Sequence, residues 1–376
     1  MDLPLSYIEL SKSNLVNNIK QLKKVAKKGT EFSVAIKGNA YGHGQNEIVK
    51  ILEPHVDYFQ VDSIEELRLL RKISKKKTFV FGYVQKSDIK EIMKLECILS
   101  IFSIDQMLKI SSVAKSFKKV QEVHIPVDAY LGREGFQLSE LENLFTEIKK
   151  NKYIKVTGIY AHFANIEDTN DFSHAYKQIK CYEKALKLAN DFNFSDIKTH
   201  MSATSGLLVY EKAKGINNII RLGIGVYGLW PSEHIKSTYK STLELKPVLS
   251  LKTKVAQIKS LKKGDSVGYG LTYVAKNDTK IALIPLGYAD GFDRGFSNNG
   301  EVLIGGTKCK ILGRVMMNMF VVDVSHLKNI LNEDEVVIIG KQGYLQISVE
   351  ELATHINTIN YEITTRISPL LPKVVV

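Results

Sequence analysis

The chain predicts an α/β fold, an N-terminal (β/α)8 TIM-type barrel followed by a C-terminal mainly β domain, and three observations carry the prediction. Up to about residue 225 short apolar runs alternate with amphipathic stretches, the pattern of βα units around a parallel sheet. Beyond Leu243 the texture changes to valine-, isoleucine- and glycine-rich segments at close spacing, which reads as short strands. The 376 residues exceed one ordinary domain and suit a barrel of about 250 residues plus a smaller unit. The polar link at 231–246 sets the boundary, giving domains 1–240 and 241–376.

The barrel strands are placed at 32–36, 58–61, 78–81, 98–102, 123–127, 156–160, 197–200 and 219–222. The first of them, Phe32-Ser33-Val34-Ala35-Ile36, is a nearly continuous apolar run bounded by glycines, as a fully buried parallel strand requires. Amphipathic helical segments at 14–27, 64–73, 139–150 and 172–190 lie between or before the strands. In the second domain strands are expected at 249–258, 280–285, 302–304, 308–312, 320–324 and 335–339, then a helix near 348–357 and a proline-bearing tail at 368–373.

Composition removes several function classes. Hydrophobic content of 44% and charged content of 24% are those of a globular protein with a large core. The first residues lack a basic segment followed by an apolar one, and no stretch approaches the roughly 18 apolar residues of a membrane span, so a cytoplasmic protein without membrane association is expected. The net charge of +12 is spread over separated groups such as Lys23-Lys24, Lys75-Lys76-Lys77 and Lys118-Lys119, which read as solvated helix faces; no nucleic-acid module accompanies them. Cys97, Cys181 and Cys309 are far apart and in no Cys/His pattern, so neither a disulfide framework nor a metal site is indicated.

Chemistry-bearing residues collect just past the carboxyl ends of the expected strands: Lys37, Asp128, Arg133, His162, Thr204 and Gly223. Barrel active sites occupy that face, and the loops after the seventh and eighth strands commonly hold phosphate. The run Lys37-Gly38-Asn39-Ala40-Tyr41-Gly42-His43-Gly44 places one amine at the end of the first strand, followed by a glycine-punctuated turn. An amine there is suited to hold an aldehyde as a Schiff base.

Val34-Ala35-Ile36-Lys37-Gly38-Asn39-Ala40-Tyr41-Gly42-His43-Gly44 closely resembles the pyridoxal-phosphate signature of alanine racemases, with Gly38 where the family usually has alanine. Further segments resemble the same family in the same order: 128–136, with Asp128 and Arg133; Gly158-Ile159-Tyr160-Ala161-His162-Phe163-Ala164; and Arg221-Leu222-Gly223-Ile224-Gly225-Val226-Tyr227-Gly228. In the second domain Gly268-Tyr269-Gly270-Leu271-Thr272-Tyr273, Gly287-Tyr288-Ala289-Asp290-Gly291, Gly313-Arg314-Val315-Met316-Met317-Asn318 and Asn360-Tyr361-Glu362-Ile363 continue the match.

The resemblance implies a pyridoxal 5'-phosphate-dependent alanine racemase, an isomerase that interconverts L- and D-alanine by a two-base mechanism and supplies D-alanine for peptidoglycan in a walled bacterium. It implies a homodimer with shared active sites, in which Lys37 carries the coenzyme and is one acid/base group, and Tyr269 of the second subunit is the other. It assigns the phosphate to Tyr41, Thr204, the backbone at Gly223 and Ile224, and Tyr361, and the ring nitrogen to Arg221. The substrate carboxylate goes to Arg133 and the partner's Met317, and His162 orients Arg221 and Tyr269. Pro126 stands where many members have a lysine that becomes carbamylated and steadies the arginine, so Arg133 must be held by another group. Thr204 stands for the more usual serine, and Asn318 for an aspartate. The competing readings are a broader amino-acid racemase, acting for example on serine, and a noncatalytic pyridoxal-phosphate carrier. A barrel decarboxylase would bring a glutamate to the ring nitrogen and a catalytic cysteine, which the matched motifs lack.

Overall fold

The computed structural model describes residues 3–194, 196–211 and 217–376. The chain divides into two compact units, one made of Asn14–Lys37 and Ile48–Lys246, the other of Met1–Ser13, Gly38–Glu47 and Pro247–Val376. Where the sequence pattern suggested one cut near residue 240, the second unit also takes two N-terminal pieces. The physical reason is strand pairing: β1 (Tyr7–Leu10) joins the C-terminal sheet rather than the barrel.

The first unit is an eight-stranded parallel sheet. Its strands are β2 (Glu31–Ala35), β3 (Tyr58–Val61), β4 (Thr78–Val80), β5 (Ile98–Ser100), β6 (Gln121–Pro126), β7 (Ile154–Tyr160), β8 (Lys198–His200) and β9 (Ile219–Leu222). β9 pairs with β2, and the remaining strands follow in chain order to β8. Between β8 and β9 the ring is stitched by single bonds, Asn218 N to Thr199 O at 2.9 Å and Arg221 N to Ser202 O at 3.0 Å. In β3 and β9 every residue is buried, and each strand is apolar but for one residue, Gln60 in β3 and Arg221 in β9. The surrounding helices bury one face each. In Ile64–Arg71 it is Ile64, Leu67 and Leu70, and the helix starts where the Ser63 side chain accepts from Glu66 N.

The barrel interior is aromatic and polar rather than purely aliphatic. Phe79 stacks on Tyr58 with centroids 4.7 Å apart and on the His200 ring at 5.6 Å, and Tyr160 stacks on His200 at 5.0 Å. Gly158 makes this possible, because a Cβ there would lie 2.5 to 2.6 Å from three atoms of the His124 ring. The core of this unit is therefore also the floor beneath the strand-end residues.

The second unit carries a ten-stranded sheet. Its strands are β1, β10 (Leu249–Lys254), β11 (Gln257–Leu261), β14 (Thr279–Ile284), β15 (Glu301–Ile304), β16 (Thr307–Leu312), β17 (Phe320–Asp323), β18 (Glu335–Gln342), β19 (Leu345–Ile347) and β20 (Lys373–Val375), while β12 (Ser266–Val267) and β13 (Tyr273–Val274) form a separate ribbon. The expected strand 249–258 is two strands. It changes partner at Val255 and Ala256, whose amides go to Asp334 O and Leu283 O respectively. The proline-bearing tail ends in β20, which pairs in parallel with β1, itself antiparallel to β10. Val267, Ile281, Leu312 and Val321 form an apolar cluster here. Among the described residues no helix is long and apolar enough to cross a membrane.

Candidate functional site

Lys37 stands one residue beyond the end of β2, after Ile36, and its Nζ lies 3.6 Å from the Oδ1 of Asp62, the residue that follows β3. Both side chains are half exposed. The carboxyl end of β2 is pinned by Tyr227, whose hydroxyl donates to Ala35 O at 2.6 Å. Asp62 follows its strand as Lys37 follows its own, so the strand-end rule that singled out the lysine applied equally to the aspartate.

Arg221, on β9, is buried and has only neutral hydrogen-bond partners. Its Nη2 donates to Ala161 O at 2.7 Å and to His162 Nδ1 at 3.1 Å, and its Nη1 to His200 Nδ1 at 3.0 Å. Both accepting nitrogens are therefore unprotonated, and the His200 proton sits on Nε2. From there it donates to His124 Nδ1 at 2.7 Å. Burial pulls His162 and His124 down to about 3 and His200 well below 6.5, so the imidazoles are neutral near pH 7. Burial also lowers Arg221, to about 10, which leaves it the cation of the group. The guanidinium lies 5.2 Å from the Tyr160 ring centroid and 5.4 Å from that of Phe81. The expected contact of His162 with Arg221 is present, while the relay through His200 and His124 carried no local sequence motif.

Thr204 and the start of the segment after β9 come together in the same unit. Gly223 N donates to Thr204 Oγ1 at 3.3 Å, and a Cβ at Gly225 would meet Thr204 Cγ2 at 2.5 Å. Ile224 opens the 3-10 turn Ile224–Tyr227 and is buried. Arg133 lies in the loop after β6, paired with Glu134. Gln178, wholly buried on the helix Ser173–Asp191, ties that loop to the one bearing His162. Its Nε2 donates to Ala129 O at 2.8 Å and His162 O at 3.0 Å, and its Oε1 accepts from Ala164 N at 2.9 Å. Nothing in the sequence distinguished this glutamine from other core positions on an amphipathic helix.

The turn after Lys37 is a left-handed helical turn. Gly38 (φ 58°, ψ 44°), Asn39 (53°, 47°) and Ala40 (54°, 52°) are followed by Tyr41 at φ 54°. Such a run costs L-residues about 1–2 kcal/mol each. It is closed by Gly42 N to Gly38 O and Gly44 N to Asn39 O, both 2.9 Å, and by Gln45 N on Asn39 Oδ1 at 3.0 Å. Gly42 is obligatory, since a Cβ would lie 1.8 Å from Thr364 O. The turn brings Tyr41 to Tyr361, with ring centroids 6.0 Å apart, so two of the expected phosphate residues meet in the second unit. At Gly38 the nearest atom to a Cβ would be Thr365 Cγ2, at an ordinary 3.7 Å. Gly38→Ala is therefore expected to cost only the backbone term, about 1 kcal/mol or about 2 °C in Tm, with activity retained. Calorimetry that finds the variant as stable as the parent, or more so, would contradict this account of the turn.

The remaining matched motifs also converge within the second unit. Tyr288 N and Ala289 N donate to Met316 O and Met317 O at 3.1 and 2.9 Å, and Gly270 packs against the Arg314 guanidinium. Tyr269 is 73% exposed and Met317 56%, along with Leu271, Tyr288 and Met319. Among the described residues no group of three or more His, Cys, Asp or Glu is placed to hold a metal ion. The cysteines are unpaired thiols, and burial pushes Cys97 and Cys309 up to about 12.

Comparison with known proteins agrees with this arrangement over its whole length. The family model "Alanine racemase, N-terminal domain" matches residues 10–231, and "Alanine racemase, C-terminal domain" matches 248–375. A curated alanine racemase from Leptospira interrogans is 33% identical over 99% of this chain and 96% of its own. Among solved structures, alanine racemase from Clostridium difficile 630 superposes with a TM-score of 0.92 at 30% identity, covering 100% of this chain and 97% of that one. A histidine racemase from Leuconostoc mesenteroides reaches 0.90 at 27% identity, covering 100% and 99%. The chain belongs to the alanine racemase family.

Proposed function

We propose that the protein is a pyridoxal 5'-phosphate-dependent racemase that interconverts L- and D-alanine, with D-alanine as a precursor of peptidoglycan where the cell has a wall. The observation that carries the reading is the pairing of full-length family membership with Lys37 at the end of the first barrel strand and a buried Arg221 whose partners are all neutral. The donor set suits the coenzyme: an accessible amine for its aldehyde, hydroxyls at Tyr41, Thr204 and Tyr361 with backbone at Gly223 and Ile224 for its phosphate, and a guanidinium for its ring nitrogen. Bound there, the group supplies an aldehyde carbon and an electron-withdrawing ring that acidify the substrate Cα–H.

This chain's residues do the rest. Inverting Cα requires a proton to leave one face and another to arrive on the opposite face. Lys37 Nζ serves one face and the Tyr269 hydroxyl, from a second copy of the chain, serves the other. Arg221 accepts no proton. Arg221 would therefore leave a ring nitrogen facing it without a proton, which would favour return of the proton to Cα over transamination. Arg133 takes the substrate carboxylate, with the backbone at Met317 from the second copy. The exposure of Tyr269, Leu271, Tyr288, Met317 and Met319 together on the second unit supports a homodimer that covers them.

A second reading, a racemase acting on other amino acids, is favoured by the likeness to the histidine racemase. A noncatalytic carrier would have no use for the second unit. The test is incubation of the coenzyme-loaded protein with L-alanine, L-serine or L-histidine in heavy water, following Cα deuteration by NMR and the other enantiomer by chiral chromatography. Deuteration together with D-alanine is the expected result. Turnover of serine or histidine in preference to alanine would replace the proposed substrate, and no deuteration of any of them would favour the carrier.

A further inference from the structure

Arg133 sits in a loop whose two ends are tied together. Val127 bridges to Phe136, Asp128 N donates to Phe136 O and Phe136 N to Pro126 O, both at 3.0 Å. Inside the loop Asp128 Oδ1 accepts from Leu131 N at 3.0 Å and Gly132 N at 2.9 Å, an Asx turn that fixes the approach to residue 133. Gly135, at φ +118°, closes the other side where a Cβ would lie 2.5 Å from Asp128 N. The short tether between these pins holds Arg133 and Glu134, neighbours in sequence, with their side chains turned toward each other.

The contact is two-pronged. Glu134 Oε2 accepts from Arg133 Nε, and Oε1 accepts from Nη2 at 2.8 Å. Glu134 is the better buried partner, with 22% of its side chain exposed against 59% for Arg133. Burial pushes its carboxyl up, but the bond from Arg133 and one from its own backbone amide outweigh this and hold it below its usual value. Pro126 offers neither an amine nor an acid. Asp62, the other carboxylate whose charge Arg133 feels, is engaged by Lys37. A guanidinium presents two edges, Nε with Nη2 and Nη1 with Nη2. Glu134 occupies the first and leaves the second for another carboxylate.

We propose that Glu134 is a positioning residue for substrate binding: it clamps the Nε–Nη2 edge of Arg133 so that the Nη1–Nη2 edge is presented to the substrate carboxylate. The inference rests on the assignment of Arg133 to that carboxylate. Glu134 does not touch the substrate and takes no part in proton transfer. Its removal acts on binding, leaving the acid/base groups Lys37 and Tyr269 as they are.

The test uses the coenzyme-loaded enzyme and propionate, which has the carboxylate of alanine without its amine. Glu134→Gln keeps the shape and removes the charge. It is expected to raise the KM for alanine and the dissociation constant of propionate, read by NMR line broadening, by about tenfold each. The kcat should stay within about twofold, and the thermal midpoint should be unmoved. Glu134→Asp is expected to recover part of the loss, and in an Arg133→Leu background Glu134→Gln should change nothing further. Propionate binding unchanged in Glu134→Gln but weakened in Arg133→Leu would overturn the clamp alone. Tighter propionate binding in Glu134→Gln would overturn it too, by making Glu134 a competitor for the arginine. Unchanged binding in Arg133→Leu itself would overturn the assignment of Arg133, and the clamp with it.

Discussion

Tyr269→Phe is expected to lower racemisation by about 10²–10⁴-fold, the usual contribution of one positioned acid/base group. The side chain is 73% exposed within the chain. Its loss therefore removes little packing, and a stability change within about 0.5 kcal/mol is expected. One enantiomer of alanine should still exchange its Cα proton with heavy water, with retention, through Lys37, while the other does not. A rate within about tenfold of the parent would remove Tyr269 from the mechanism. The shared site has its own readout. Lys37→Ala and Tyr269→Phe homodimers should each be nearly inactive, but a dimer containing one of each has one intact site if the tyrosine acts across the interface. Unfolding and refolding an equal mixture should then restore about a quarter of the parent activity. No recovery would place both groups on one chain.

The second large effect is acid lability. His43, His124 and His200 are almost completely buried, and burial pulls His43 to about 4, His124 to about 3 and His200 well below 6.5. In the unfolded chain each binds a proton near pH 6.5 that the folded protein refuses. Their contribution to stability is therefore fully present above about pH 6.5. It is lost as pH falls below that value, and the loss continues down to the folded values near 4 and 3. At pH 5 His43 and His124 each cost about 2 kcal/mol relative to pH 7, and His200 acts in the same direction, together a large share of a typical domain's stability. The thermal midpoint should fall by about 5–10 °C between pH 7 and pH 5, a window above the titration of ordinary carboxylates. A midpoint flat over that window would mean that these rings are solvated or already charged.

Much of this molecule was legible before its structure, and the illegible parts share a physical cause. Barrel strands announce themselves because burial on both faces demands apolar runs, and the residues just past them are few and polar. Lys37, His162 and Thr204 were found in this way, whereas Arg221, inside β9, was singled out only by the family resemblance. Asp62 obeyed the same rule but sat next to Ser63 and two glutamates at a helix start, where an acid is ordinary. Glu134 and Gln178 act through geometry that no spacing reveals. One depends on a loop pinned at both ends, the other on a helix position that happens to face two carbonyls. Strand β1 was missed because four residues, three of them buried, are too few to show a period, and its partners lie at the far end of the sequence.

That last pairing bears on how the C-terminal unit can be made. Ile8 pairs with Lys373 and with Leu251, so β1 is the middle strand of three and no stretch of sequence beginning after residue 240 contains it. A severed fragment 241–376 would leave β10 and β20 each with an unfilled row of amides and carbonyls, the geometry that templates intermolecular pairing. Such a fragment should precipitate, and a soluble version would need β1 grafted back through a linker. In the intact chain the same arrangement delays completion of the sheet until its most distant segments meet, a step whose entropic cost grows only slowly with the length spanned but whose rate suffers from it.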